Sequence, residues 1–128
     1  MHYSQIQSAV NSTVQPGLGE AELLRVELQG FIDVAMLEAR LGELSARFEQ
    51  RAPSAVLCDL RSVAGYGAGT PTLAREWFMH ARRAGVRRVA LVATSTVLRT
   101  AALLLARDLD LELRCFLGET EAQRWLVA

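Results

Sequence analysis

The strongest chemical suggestion in this sequence is a glycine string between an apolar run and a helical pattern: Gly65-Tyr66-Gly67-Ala68-Gly69, then Thr70-Pro71. Residues without side chains at a strand-to-helix turn let backbone N–H groups close on a phosphate. A dinucleotide loop needs Gly-x-Gly-x-x-Gly and an acidic residue at the end of the next strand. Here the spacing is Gly-x-Gly-x-Gly, and the next apolar run ends Ala93-Thr94-Ser95. Both requirements fail, so the glycines read as a flexible connection whose helix start has, at most, room for an anion.

Nucleophilic catalysis asks for a serine, cysteine or carboxylate beside a histidine. The sequence has two histidines, His2 near its start and His80 inside a helical pattern, where a solvated or packed imidazole is expected. Cys58 and Cys115 each lie in an apolar run, the setting of an inert buried thiol. Neither Cys-x-x-Cys nor His-Glu-x-x-His occurs, so no metal site and no cofactor are expected. Asp59 closes an apolar strand and is expected to accept backbone N–H bonds from the following turn. An enzyme would have to be assembled from Asp59, Thr70, Thr94 and Ser95 without a general base, and the expectation is that this protein is not one.

All 14 basic residues other than histidine are arginine, which removes Schiff-base lysines and the phosphate-loop lysine. The formal charge is zero, so the footprint of a nucleic-acid binder is missing. No apolar run approaches the roughly 20 residues of a membrane-spanning helix, and the first residues lack a secretory pattern. A cytoplasmic protein is expected.

With 51% apolar residues, 128 residues suit one domain with one core. Residues 1–15 read as a weak strand or flexible arm, and Pro16-Gly17-Leu18-Gly19 as a turn. Leu24, Val26 and Leu28 alternate with Arg25, Glu27 and Gln29, a half-buried strand. Asp33 is placed as the N-cap of a helix to about Gln50 carrying Val34, Leu37, Leu41, Leu44 and Phe48. Residues 55–60 form a strand covered on both faces. Thr70 is read as the N-cap, with Pro71 in the first turn, of a second helix burying Leu73, Trp77, Phe78, Ala81 and Ala84 and ending at Gly85.

Residues 86–93 make a further strand, and Thr94-Ser95-Thr96 opens a third helix to about Asp108. Its apolar stripe is Val97, Leu98, Ala101, Leu104 and Leu105, with Leu103 outside it, exposed or docked. Residues 111–117 alternate as a peripheral strand, and Thr120 with Gln123 reads as a capping box for a closing helix. The succession calls for an α/β domain with a mixed, mostly parallel sheet of four or five strands and about four helices.

This succession, with Gly30-Phe31-Ile32-Asp33, Cys58-Asp59-Leu60-Arg61, residues 92–99, and Phe116 followed by Trp125-Leu126, resembles the STAS family and its small bacterial SpoIIAA-like, anti-sigma-factor-antagonist-like branch over roughly residues 20 to 127. The resemblance implies a protein-binding regulatory domain whose partner docks where the central strand meets the second helix. In regulatory members a serine at that helix start is phosphorylated by a partner kinase, which releases the partner. The family pattern there is roughly Asp-Leu-Ser-Gly-Val, a few residues, then Asp-Ser-Ser-Gly. This sequence keeps Asp59, Leu60 and Val63 but has Gly67-Ala68-Gly69-Thr70 where the acidic residue and serines would fall. The switch serine is absent in that register, and Thr70 is the nearest hydroxyl.

The working surface is therefore expected at Asp59, Gly67, Ala68, Gly69 and Thr70 together with Thr94, Ser95 and Thr96, at the carboxyl ends of neighbouring strands. The partner is expected to be a regulatory protein or a second copy of the chain, with a small apolar or anionic ligand as the other candidate. The alternative reading is a carrier of a lipid or nucleotide, with a pocket like that of CRAL-TRIO domains lined by the third helix and the glycine loop.

Overall fold

The computed structural model describes residues 10–16, 22–51 and 53–128. Leu24 and Val26 are buried while Arg25 between them is turned to the other face, as the alternation requires. This strand, β2 (Glu22–Ile32), is followed by α1 (Val34–Gln50). Asp33 caps α1 as expected, its Oδ1 accepting the Met36 N–H at 2.8 Å. Next come β3 (Ala55–Tyr66), α2 (Thr70–Ala84), β4 (Arg88–Val92), α3 (Thr96–Leu105), β5 (Glu112–Phe116) and α4 (Glu119–Leu126). Ahead of them β1 (Val10–Pro16) pairs antiparallel with β2, a full strand where the sequence suggests a weak one or an arm. The turn expected at residues 16–19 falls mostly outside the described residues.

Strands β2, β3, β4 and β5 lie side by side in chain order and parallel, with β1 on the outer edge of β2. Right-handed crossovers without a reversal of order put the three connecting helices on one face. There Leu44 and Phe48 of α1, Trp77, Phe78 and Ala81 of α2, and Ala102 of α3 bury Leu24, Val26, Val56, Cys58, Val89 and Leu91. The intervening residues Leu23, Ala55, Leu57, Ala90 and Val92 point the other way, under Ala122 and Leu126 of α4. An unreversed strand order has no switch-point crevice, the place where doubly wound sheets take dinucleotides.

Several local expectations are corrected. β3 does not stop near Leu60 but continues to Tyr66, because β2 runs on beyond Gly30 and supplies partners: Phe31 faces Gly65 and Ile32 faces Tyr66 after two register shifts. Gly30, at φ 78°, accommodates the second of them. Thr70 is not the N-cap of α2; Gly69 holds that position at φ 90°, and Thr70 begins the helix. The capping box at Thr120 and Gln123 is also absent. Gly118 precedes α4, and Gln123 donates to Glu119 Oε2 at 3.1 Å.

α3 ends at Leu105, short of Asp108, where Arg75 of α2 donates to the Leu105 and Arg107 carbonyls at 2.8 and 2.7 Å. Its buried line is centred on Ala102, flanked by half-buried Leu98 and Leu105. Val97 and Leu104 of the expected stripe are 66% and 59% exposed, and Leu103 is exposed as expected. The contact line is rotated from that stripe onto Ala102, the buried α3 residue of the main core. Gly85 ends α2 as expected, in the left-handed conformation at φ 116°.

Candidate functional site

At the carboxyl end of β3 the expected site residues form a tight turn. Gly67 donates its N–H to Ile32 O at 2.9 Å, and its own carbonyl accepts the Thr70 N–H at 3.3 Å and the Thr70 hydroxyl at 2.7 Å. Thr70 is thereby buried, whereas Ala68 is exposed at the tip. A Cβ on Gly69 would come within 3.1 Å of Val34 Cγ2, on a backbone that side chains rarely adopt. Position 69 is thus shaped for glycine. The helix start is a poor anion site, since the Thr70 N–H is engaged by Gly67 and Pro71 has none.

Three apolar side chains surround this turn, and none was singled out as a site residue from the sequence. Phe31 is 50% exposed, Val34 37% and Tyr66 36%. The Phe31 ring lies beside Gly65 and Gly67, where added Cβ atoms would sit 3.5 and 3.8 Å from it. The glycines make a shallow floor for the Phe31 ring, whereas Tyr66, paired with Ile32, turns to the helix-covered face of the sheet. A signal was present in Phe31-Ile32, an apolar pair directly before the Asp33 cap, but a β3 ending near Leu60 gives Phe31 no strand partner, whereas the structure sets it opposite Gly65.

Thr94, Ser95 and Thr96 follow β4 and are exposed. Ser95 caps α3, its Oγ accepting the Leu98 N–H at 3.3 Å. These residues and the Gly67–Thr70 turn share the carboxyl end of the sheet. They stand at different levels, because Asp59 is the last β3 residue paired with β4 and residues 60–66 run on beyond it.

Asp59 does not join that surface. It lies on the α4 side of the sheet, 5% exposed. Oδ1 accepts the Arg61 backbone N–H at 3.1 Å and Arg61 Nε at 2.9 Å; Oδ2 accepts Arg61 Nη2 at 2.8 Å and Arg25 Nη2 at 3.0 Å. The backbone bond is the structural role expected of it. Arg25 also grips Glu119 at the start of α4, through Nε at 2.8 Å and Nη2 at 2.9 Å. The Arg61 side-chain bonds hold the Asp59 carboxyl below its usual range against the opposing effect of burial. The Arg25 bonds do the same for Glu119. An ionised carboxylate with both oxygens doubly engaged is a structural anchor, unsuited to general-base work.

Burial pushes the Cys58 thiol up to about 12, with the Asp59 charge adding to the effect, and burial raises Cys115 as well. Both cysteines are free. His80 stacks on Phe48 with centroids 6.3 Å apart, the packed histidine of the sequence reading. Among the described residues no group of three His, Cys, Asp or Glu side chains could hold a metal ion, and no helix is long and apolar enough to cross a membrane.

The sequence profile of the SpoIIAA-like family matches residues 23–127. The chain belongs to the SpoIIAA-like family. The structure of this SpoIIAA-like domain agrees: a protein of the DUF3478 family with a SpoIIAA-like fold from Shewanella loihica PV-4 superposes with a TM-score of 0.70 at 13% identity, covering 93% of this chain and 94% of the other. An anti-sigma factor antagonist from Mycobacterium paratuberculosis gives 0.65 at 18% identity, covering 92% and 94%. The anti-sigma factor antagonist SpoIIAA in its unphosphorylated form gives 0.63 at 13%, covering 87% and 92%. No protein of curated function matches the sequence. At these identities the likeness establishes the fold: a four-stranded parallel sheet with an antiparallel edge strand and four helices. Phe116 and Trp125, whose spacing contributed to the resemblance, pack with ring centroids 5.7 Å apart and seat α4 on the sheet of the SpoIIAA-like domain.

Proposed function

We propose that this SpoIIAA-like domain is a non-catalytic regulatory module of the cytoplasm that binds a protein partner at the carboxyl end of its sheet. The observation that carries this reading is the exposed pair Phe31 and Val34 against the glycine turn. An exposed aromatic ring over a side-chain-free floor makes the kind of anchor on which protein interfaces concentrate their energy. The two antagonists of similar fold are consistent with it. Gly67, Ala68, Gly69, Thr70, Thr94, Ser95 and Thr96 form the docking end, and Asp59 braces the sheet behind it. With Gly69 in the left-handed conformation and the Thr70 hydroxyl buried in a bond to Gly67, binding here is not controlled by the usual serine phosphorylation.

The test is capture of the native partner from cell extract on immobilised protein. Ala68→Arg and Phe31→Ser are expected to lose the same partner, while Arg47→Glu on α1 keeps it. If both variants retain every partner, the working face lies elsewhere.

A second reading, a small-molecule carrier, is favoured by one observation: an apolar cavity of about 140 Å3 between the sheet and the three helices on its face. Leu98, Ala101, Ala102 and Leu105 of α3, with Tyr66, Thr70 and Pro71 from the glycine-turn region, contribute to its lining. This volume and lining suit a compact apolar body and not a nucleotide or a long lipid chain. Organic extraction of freshly purified protein with mass spectrometry tests it, a stoichiometric small molecule being the expected result and a blank extract the contrary one.

A further inference from the structure

The sheet is open along β5. The strand order ends there, and among the described residues no strand pairs with its outer edge. Glu112 donates its N–H to the Arg87 carbonyl at 3.1 Å, and the Phe116 carbonyl accepts the Ala93 N–H at 3.0 Å. Glu112, Arg114 and Phe116 therefore direct their backbone groups to β4, and the alternating residues Leu113 and Cys115 point theirs outward. Such an edge is a template for another strand unless its side chains forbid pairing.

The side chains here do not forbid it. Glu112 and Arg114 stand on one face of the strand with opposite charges, and both are exposed. Glu112 keeps a 3.3 Å contact from Arg88 Nε, whereas Arg114 lies over the Trp125 ring, 5.6 Å from its centroid, and has no ion pair among the described residues. Beside the edge, Leu103 of α3 is 57% exposed. Cys115 Sγ lies 4.0 Å from the Arg99 carbonyl, which places α3 against β5. Leu103 is one turn further along, on the flank opposite to the cavity-facing Leu98, Ala101 and Leu105. Four residues of helix rise about 6 Å, the span of about two strand residues, so Leu103 stands near the level of Leu113.

We propose that β5 is a homodimer interface, two copies of this chain pairing antiparallel along it about a two-fold axis at Leu113. In this register Leu113 meets its own copy as a hydrogen-bonded pair, and Glu112 of each copy faces Arg114 of the other at the closer, non-hydrogen-bonded positions. Both opposite-charge pairs form at once, because a two-fold interface repeats every contact. The registers centred one residue away set Glu112 against Glu112 or Arg114 against Arg114, which like-charge repulsion disfavours. The same axis brings the two exposed Leu103 side chains together above the joined sheet. The docking ends at Phe31 point in opposite directions and stay open, so the pairing goes beyond the proposed docking role and stands or falls without it.

Sedimentation of the purified full chain from micromolar to millimolar concentration tests this, and a reversible monomer–dimer equilibrium is expected. Arg114→Glu and Glu112→Arg, substitutions at exposed positions, should each weaken dimerisation about tenfold or more by turning two attractive pairs into two repulsive ones. An equimolar mixture of these two variants should recover the dimer, since every cross-strand pair is then again of opposite sign. Leu103→Glu should also weaken it, whereas Leu104→Glu, exposed on another flank of the same helix, should not. Ala68→Arg, which blocks the docking end, should leave the dimer intact. If one charge variant fails to fold, the other decides together with Leu103→Glu. A chain monomeric at every concentration, whether or not this edge captures another protein, would overturn the proposal. So would a dimer untouched by the charge variants, or a mixture that dimerises no better than either variant alone.

Discussion

Arg25 on the second strand and Glu119 at the first turn of the last helix, 94 residues apart in sequence, meet in a two-pronged pair, Nε to Oε2 at 2.8 Å and Nη2 to Oε1 at 2.9 Å. Arg61 joins them, donating from Nη2 to Glu119 at 3.1 Å and to Asp59 at 2.8 Å. The last helix is thus fastened to the middle of the sheet by charge as well as by Ala122 and Leu126.

The fastening should release in acid. Asp59 and Glu119 both have folded-state pKa values lowered below their ordinary 3.8 and 4.5. A lowered pKa means stability that is fully present above the ordinary value and is lost as pH falls through the folded one. The thermal midpoint is expected to hold near neutrality and to decline progressively from about pH 4.5 downward. Glu119→Gln should have a lower midpoint at pH 7 and a shallower acid decline; an acid limb identical to that of the native protein would contradict this assignment.

Replacing Arg25 by Met should cost about 3 kcal/mol, the low end for stripping one partner from a largely buried charge network. Urea unfolding at pH 7 measures it. The loss should shrink in the Asp59→Asn background, since the two side chains share one network; strictly additive losses would show that they act independently.

Thr70→Ala removes the 2.7 Å bond from a buried hydroxyl to Gly67 O and should cost about 1 kcal/mol. Gly69→Ala should cost about 1–2 kcal/mol through its positive φ, with the 3.1 Å approach to Val34 adding to it. Equilibrium unfolding of the two variants checks both figures, and a neutral Gly69→Ala would show that the turn can rearrange.

Cys58 should resist a thiol reagent in the native protein at pH 8, because its thiol, near 12, is both protonated and buried. Cys115, half-buried and also raised, should react more slowly than an unhindered thiol. Both should label promptly in urea. Fast native labelling of Cys58 would contradict its placement in the core.

On α3, Val97→Glu and Leu104→Glu should each change stability by no more than about 0.5 kcal/mol, as substitutions at exposed positions do. The stripe read from periodicity would instead have placed both side chains in the core, where a charge is severely destabilising. Thermal melts of the two variants separate these outcomes.

Much of the fold was already legible in the chain, since it rests on local rules. The alternation around Arg25, the Asp33 cap, the Gly85 stop and the near-continuous apolar residues of β3 each follow from sterics and burial within a few residues. Their order implies a parallel sheet with helical crossovers. That Gly69, and not a hydroxyl residue, stands before Thr70 was equally plain, as a matter of residue identity. Tertiary structure decided what depends on distant partners. β3 continues to Tyr66 only because β2 is beside it, and this brings Gly65 under the Phe31 ring. Thr70 turns its hydroxyl to Gly67 because Gly69, in a conformation open mainly to glycine, takes the cap position. The burial of α3 is centred on Ala102 by its packing into the core, which a helical wheel does not contain. Arg25 and Glu119 meet across 94 residues, and the cavity is space left among three helices and a sheet. Pair contacts and voids of this kind belong to no single segment, so local propensity carries no trace of them.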